Sequence, residues 1–290
     1  MNYRHAFHAG NVADVLKHAV LALVTEHLKL KPGPFAVLDT HAGIGLYDLT
    51  SEAAKKTGEW RAGIGRLLGP DAVPIPAEVQ PILAGYLDVV RAENPVGALQ
   101  RYPGSPLIAR NLLRNCDRLM LCELHPADAG LLATLFGRDK QVSIEPSDGW
   151  MALKARLPPR ERRGLILIDP PFEEKGEFER IVQGLEAGLR RFATGCFLIW
   201  YPIKDAKPIA RFHTELASLA TRGTLKAELL QRRPTRPDQL NGAGLIVINP
   251  PFTLYPKLAS LLPWLAATYG EAGAGFSHLH WLRQPDGSGS

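Results

Sequence analysis

The chain reads as an α/β protein built on a mostly parallel sheet. Short runs of apolar residues recur along it, stretches with helical patterning separate most of them, and the runs are apolar at successive positions rather than at alternate ones. Strands buried on both faces have that pattern, and helices covering both faces of a parallel sheet produce it.

Residues 11–30, NVADVLKHAVLALVTEHLKL, carry apolar side chains at 12, 15, 16, 20, 23 and 24, which suits a helix with Asn11 as its cap. Lys31-Pro-Gly-Pro34 stops it, and 35–39 (FAVLD) follows as a buried strand leading into the Gly-bearing turn 40–45. Ser105 then Pro106 suggest a capped helix running to about Asn115. Further strands are predicted at 118–124, 141–145, 164–170, 196–202, 225–230 and 244–250, and helices at 177–192 and 206–220. No helix fits between the last two strands. The polar loop QRRPTRPDQLNGAG predicts that they form an antiparallel pair, with 244–250 as the closing strand.

Length and composition bound the rest. A chain of 290 residues suits one large domain or a large one with a small companion. An apolar fraction of 46% and a charged fraction of 22% exclude a disordered chain. No run of 18 apolar residues exists, so no membrane partner is expected. The first ten residues lack an apolar h-region, and three cysteines (Cys116, Cys122, Cys196) show no metal spacing, so a cytoplasmic protein with reduced thiols is expected. The tail 285–290, ending Gly-Ser-Gly-Ser, is expected to be disordered. A net charge of +5 and a pI of about 9.1 lean weakly towards a polyanionic partner. The basic runs 154–163 and 232–236, with Arg4, are candidate phosphate contacts.

Four strand ends carry chemistry. Asp39-Thr-His-Ala-Gly-Ile-Gly45 follows a strand as a nucleotide-binding loop does, although a plain Gly-rich turn has the same composition. Glu123 ends the next parallel strand, where ribose hydroxyls are bound in Rossmann-type sheets. Gly45 and Glu123 stand 78 positions apart, against about 20 in the usual arrangement. The excess marks residues 47–102 as an inserted subdomain between core segments 1–46 and 103–284. Asp148-Gly149 ends a third strand, a plausible adenine-side contact and also a common turn.

The fourth, Asp169-Pro-Pro-Phe172, is the most informative. An exocyclic adenine amine is a poor nucleophile, because its lone pair is delocalised into the ring. Asp169 can accept one N–H and the Pro170 carbonyl the other, which turns the lone pair towards an electrophile. Proline holds that carbonyl rigidly, and Phe172 offers a face for a flipped base. Asn249-Pro-Pro-Phe252 repeats the pattern, but at the end of the closing antiparallel strand, and therefore away from the crevice at the carboxyl ends of the parallel strands.

Six blocks spread over most of the chain resemble the large-subunit (23S) rRNA adenine-N6 methyltransferase J family: YRHAFHAGNVADVLKH (3–18), LDTHAGIG (38–45), YPGSPLIAR (102–110), ELHP (123–126), RRGLILIDPPF (162–172) and RFATG with IWYP (191–202). The resemblance implies a class I Rossmann-like methyltransferase sheet with an inserted small helical subdomain. It also implies S-adenosyl-L-methionine as methyl donor, 23S rRNA as partner, and a monomer. Carried over by motif, His18 and His41 contact the donor, Ser105 lies at its methionine end, Glu123 takes the ribose, and Asp148 with Gly149 meets the adenine moiety. Asp169 holds the target amine and accepts its proton, flanked by Pro170 and Phe172. Tyr3 contacts substrate, with Lys17 a further candidate. The family usually has Tyr where Phe172 stands, and stacking needs only a ring. No metal is expected, since His5, His8 and His18 lack companions at a zinc spacing. Alternatives on the same fold are a DNA adenine or a protein amide methyltransferase; a non-catalytic rRNA-binding assembly factor is the alternative from another class.

Overall fold

A computed structural model describes residues 5–219, 221–234 and 239–285. Ten strands and eleven α-helices are described. In chain order they are α1 (Val12–Lys29), β1 (Ala36–Asp39), β2 (Leu46–Asp48), α2 (Glu52–Thr57), α3 (Glu59–Ala62), α4 (Gly65–Leu68), α5 (Gln80–Ala92), β3 (Arg101–Pro103), α6 (Ser105–Leu112), β4 (Arg118–Cys122) and α7 (Pro126–Phe136). The second half adds β5 (Val142–Glu145), α8 (Gly149–Ala155), β6 (Gly164–Ile168), α9 (Glu177–Arg191), β7 (Cys196–Ile203), α10 (Ala206–Ser218), β8 (Thr224–Leu230), β9 (Gly242–Ile248), α11 (Leu254–Tyr269) and β10 (Phe276–Arg283).

Eight strands form one sheet in the order β10-β8-β9-β7-β6-β1-β4-β5. Strands β5, β4, β1, β6 and β7 pair in parallel. β9 runs antiparallel between β7 and β8, so β8 shares the direction of the parallel set. All the carboxyl ends of that set therefore lie at one end of the sheet, and the carboxyl end of β9 lies at the other. The antiparallel β8–β9 pairing is as the polar loop predicts, but β9 does not close the sheet, since it lies inside it between β7 and β8. β10, an edge strand antiparallel to β8, has no counterpart in the sequence reading. FSHLHWLR is half-buried apart from exposed His278 and His280 and mixes His and Ser with apolar residues, which hides it.

Period-2 alternation divides the sheet's side chains between two cores. Val37, Leu119, Leu121, Leu165, Leu167 and Leu198 point to the face covered by α1, α6 and α11, with α5 packed on α1 and α6. Leu38, Met120, Ile166, Ile168, Phe197 and Ile199 point to the face covered by α8, α9 and α10. Removing each large side chain from water contributes about 1.5–3 kcal/mol. The double cover accounts for the uninterrupted apolar runs.

Asn11 caps α1, accepting from the Asp14 N–H at 3.0 Å. α1 lies across the sheet, its first turns at the crevice end and its last at the opposite end. Between β2 and β3, an antiparallel ribbon pairing Leu46 with Pro103, residues 49–100 carry helices α2 to α5. Their Ile64, Leu67, Leu83 and Tyr86 share a core with Val15, Leu16 and Val20 of α1.

One helix start differs from the expectation. Gly104 caps α6, and Ser105 is the first helical residue, with no side-chain cap. The Ser105 hydroxyl instead donates to Asp39 Oδ2 at 2.6 Å. A buried carboxylate one strand away outcompetes the local cap.

Candidate active site

A pocket opens at the crevice end of the sheet. Its walls come from α1, the turns after β1, β4, β5 and β6, and the start of α6. His18, His41, Ser105, Glu123, Asp148, Gly149, Lys17, Asp169 and Pro170 all line it. Phe172 is not in that lining. Its ring packs edge-on against Phe178 (5.1 Å between centroids) and Trp200 (5.6 Å), and its backbone has φ +53°. A bulky residue in the left-handed region carries strain, which tends to be kept at functional turns. Tyr3 lies outside the described residues, as do Arg4, 235–238 and 286–290.

The first turns of α1 supply the most buried charges. Lys17, 4% exposed, reaches Asp169 Oδ2 at 2.5 Å and Asp14 Oδ1 at 2.8 Å. Asp14, 1% exposed, also accepts from the Gly10 N–H at 2.8 Å, and its Oδ2 lies 2.9 Å from His5 Nε2. Burial alone would neutralise both groups. For Lys17 the two carboxylates outweigh burial and raise its pKa; for Asp14 burial is outweighed by His5 and Lys17, which hold its carboxyl well below the ordinary range. The result is a dry chain, Asp14–Lys17–Asp169, tying α1 to the end of β6.

Asp39 ends β1, 2% exposed. Burial pushes its carboxyl up to about 7, with the charge of Asp169 adding and the Ser105 hydroxyl and His41 N–H opposing. Burial pulls His41 down to about 4, so its imidazole is neutral near pH 7. Its Nδ1 lies 2.8 Å from Thr40 Oγ1, and its ring meets Trp150 edge-on at 5.3 Å. Glu123 accepts from the Gly43 N–H at 2.8 Å and the His125 N–H at 2.8 Å, which fixes the carboxylate while leaving lone pairs on both oxygens. Gly43 has φ +63°, and a Cβ there would fall 2.4 Å from the Tyr47 hydroxyl, so glycine is required at that turn. Asp148 caps α8 through the Trp150 N–H at 2.9 Å. His18 Nδ1 contacts the Tyr102 hydroxyl at 2.7 Å, while its Nε2 is buried with no hydrogen-bond partner.

Several lining residues were absent from the sequence-based set: His5, His125, Trp150, Glu174, Glu177 and Arg180. Asp14 was absent too. Its signal was present, since Asp14, Lys17 and His18 stand at i, i+3 and i+4 on one helix face. Among the described residues no group of three or more His, Cys, Asp or Glu side chains could hold a metal ion. No described helix is long and apolar enough to cross a membrane.

The lining suits a cationic nucleoside donor. Carboxylates from Glu123, Asp128, Asp148, Asp169, Glu173 and Glu174 outnumber the cations Lys17 and Arg180. His18 Nε2 is an orphaned polar atom that a bound ligand would satisfy.

Comparison with known proteins points the same way. The family model described as "Ribosomal RNA large subunit methyltransferase D, RlmJ" matches residues 32–283. The ribosomal RNA large subunit methyltransferase J of Escherichia coli (strain K12) is 46% identical over 282 residues, covering 97% of this chain and 99% of the relative. That of Haemophilus influenzae (strain ATCC 51907 / DSM 11121 / KW20 / Rd) is 44% identical over 283 residues, with the same coverage. A crystal structure from Legionella pneumophila str. Philadelphia 1 superposes with a TM-score of 0.85 at 33% identity, covering 97% of this chain and 99% of that one. The chain therefore belongs to the ribosomal RNA large subunit methyltransferase J family, enzymes that use S-adenosylmethionine.

Proposed function

We propose that this protein methylates the exocyclic N6 of one adenine in 23S rRNA, and that it does so as a cytoplasmic monomer. The observation that carries the reading is Asp169-Pro170 at the carboxyl end of β6, on the pocket wall, with Lys17 held against one carboxylate oxygen at 2.5 Å.

Lys17 occupies Asp169 Oδ2 with its ammonium. Oδ1 is then the acceptor for one N–H of the target amine, and the Pro170 carbonyl accepts the other. Two acceptors fix the nitrogen with its lone pair out of conjugation with the ring, so part of the barrier is met by positioning. Asp169 takes the proton that the amine loses. Asp14 acts through Lys17 as a positioning residue. S-adenosylmethionine, bound on the β1, β4 and β5 turns, supplies a methyl group already activated by the sulfonium. Glu123 would hold its ribose, Asp148 and Gly149 its adenine side, and His18, His41 and Ser105 its remaining polar contacts. Tyr3 would meet the target base, and Phe172, packed on Phe178 and Trp200, would shape the turn that carries Pro170. The helical segment 47–102, rooted on the β2–β3 ribbon, would be the accessory subdomain beside the rRNA. The monomer rests on the family resemblance, and the cytoplasmic setting on an rRNA substrate and unpaired cysteines.

The test is product mapping with labelled donor on deproteinised large-subunit rRNA, duplex DNA and ribosomal protein. N6-methyladenine in rRNA, lost in Asp169→Asn while donor binding persists, is the expected result. Label in DNA or protein alone would reject the substrate, and full activity of Asp169→Asn would reject the role of that residue.

A further inference from the structure

The second Pro-Pro-aromatic motif is not spent on the reaction, yet it is built with care. Asn249 adopts φ +51° and uses both ends of its side-chain amide. Nδ2 donates to the Ala193 and Gly195 carbonyls at 2.9 and 2.8 Å, and Oδ1 accepts from the Arg222 N–H at 2.9 Å. Pro250 and Pro251 stiffen the lead into α11, and Phe252 emerges 83% exposed. A single exposed ring is ordinary on a protein surface, so the weight falls on what surrounds it.

Its surroundings are basic. Phe252 meets His27, near the end of α1, edge-on at 5.3 Å. Lys31 follows the end of α1, Lys257 lies in the first turn of α11, and Arg163 donates to the Leu28 and Gly33 carbonyls at 2.7 and 2.5 Å, so these three cations belong to the same end of the sheet as Phe252. Burial, with their charges next in weight, lowers the pKa of His27. Nearby carboxylates are already engaged, Asp117 by Arg114, Glu161 by Arg118 and Glu26 by Lys29. Arg160 and Arg162, both exposed, precede β6 and so belong to the same end of the sheet. Part of the basic run 154–163 therefore faces away from the pocket. Lys17 and Leu30, 13 positions apart on α1, are separated by about 20 Å, so this surface lies a comparable distance from the target amine.

We propose that Phe252, together with Lys31, Lys257 and Arg163, is a second RNA-contacting surface at the amino-terminal end of the parallel sheet. It would stack one unpaired base and neutralise neighbouring phosphates of the same rRNA whose adenine enters the pocket. An aromatic face accompanied by cations is the chemistry single strands require, and it tolerates any base. The inference rests on the rRNA reading for the identity of the strand.

The test compares wild type, Phe252→Ala, Phe252→Trp and Lys31→Glu/Lys257→Glu, all changed at or near the surface, so that folding is preserved and checked by thermal melts. Fluorescence anisotropy is read with a short labelled hairpin carrying the target adenine and with a long deproteinised 23S rRNA fragment. Phe252→Ala should bind the long fragment about tenfold more weakly and the hairpin as wild type does, with unchanged kcat. Phe252→Trp should retain binding, and the double charge reversal should flatten the salt dependence by about two contacts' worth of slope. Equal affinity of all four proteins for the long fragment would overturn the proposal. Loss of a wild-type dimer in sedimentation upon Phe252→Ala, without change in RNA affinity, would also overturn it, making the face a self-contact. If wild type binds the fragment through Phe252 but methylates no rRNA, the substrate reading fails and the surface stands.

Discussion

Asp169–Phe172 and Asn249–Phe252 are near-copies in sequence and opposites in the molecule. Each ends an apolar strand, each follows its polar residue with two prolines and an aromatic residue, and each holds one residue at positive φ, Phe172 in the first and Asn249 in the second. Strand direction separates them. β6 runs with the parallel set and delivers Asp169 to the pocket beside Lys17. β9 runs against it and delivers Asn249 to the far end, where its amide ties the loops before β7 and β8 together. The same four-residue turn thus lines the pocket at one end, and at the other its amide donates to two backbone carbonyls and accepts from one backbone N–H. A motif's chemistry depends on which end of the sheet it reaches.

That contrast can be broken at either end. Asp169→Asn should lower kcat by about a thousandfold with donor affinity within a few-fold, measured by single-turnover methylation and donor titration. Asn249→Ala should do the reverse. Three hydrogen bonds go, stability falls by about 2–3 kcal/mol in denaturant melts, and turnover per folded molecule is unchanged. Asp14→Asn sharpens the catalytic side, because Asp14 reaches Asp169 through Lys17, although it also accepts from the Gly10 N–H and meets His5. About a tenfold loss of kcat at constant donor affinity is expected, and partial rescue by Asp14→Glu would separate positioning from simple damage to α1.

A pH effect arises from Asp39. Its pKa in the fold, about 7, lies above its ordinary 3.8. The protonated form is thus favoured on folding, a contribution that is complete below about pH 4 and is lost as pH rises through about 7. Above that, the charged carboxylate beside the donor pocket favours a cationic ligand. Donor affinity should rise several-fold between about pH 6 and pH 8, and calorimetric titration of Asp39→Asn should show the rise flattened. The smallest effect belongs to Phe172→Tyr. Its ring rests on Phe178 and Trp200, and the added hydroxyl should alter kcat/KM by less than about twofold.

Much of this is legible in the amino-acid sequence. The parallel sheet shows in uninterrupted apolar runs such as 164–168, the antiparallel β8–β9 pair in the polar loop between them, and the placement of Asp169 rather than Asn249 at the pocket in that topology. The features that escape do so for physical reasons. Ser105 looks like a helix cap because Ser-Pro is a common helix start, and only the fold reveals Asp39 within 2.6 Å of its hydroxyl. Asp14 looks like an ordinary first-turn acid: its i+3 pairing with Lys17 is legible, but nothing local announces that it will be 1% exposed or that Lys17 will reach Asp169. β10 fails to show because a half-buried edge strand has no clean alternation. Phe172, expected to face the substrate, packs edge-on against Phe178 and Trp200, rings brought to it by α9 and β7 from later in the chain.

The two turns can be judged in one assay. Large-subunit rRNA from cells lacking the protein is incubated with labelled donor and wild type, Asp169→Asn or Asn249→Ala, each normalised to folded protein, and N6-methyladenine is mapped. Wild type and Asn249→Ala should label the same single adenine at equal rates, and Asp169→Asn should label none. Label from Asp169→Asn at the wild-type rate, or its loss only in Asn249→Ala, would contradict the assignment of methyl transfer to the end of β6.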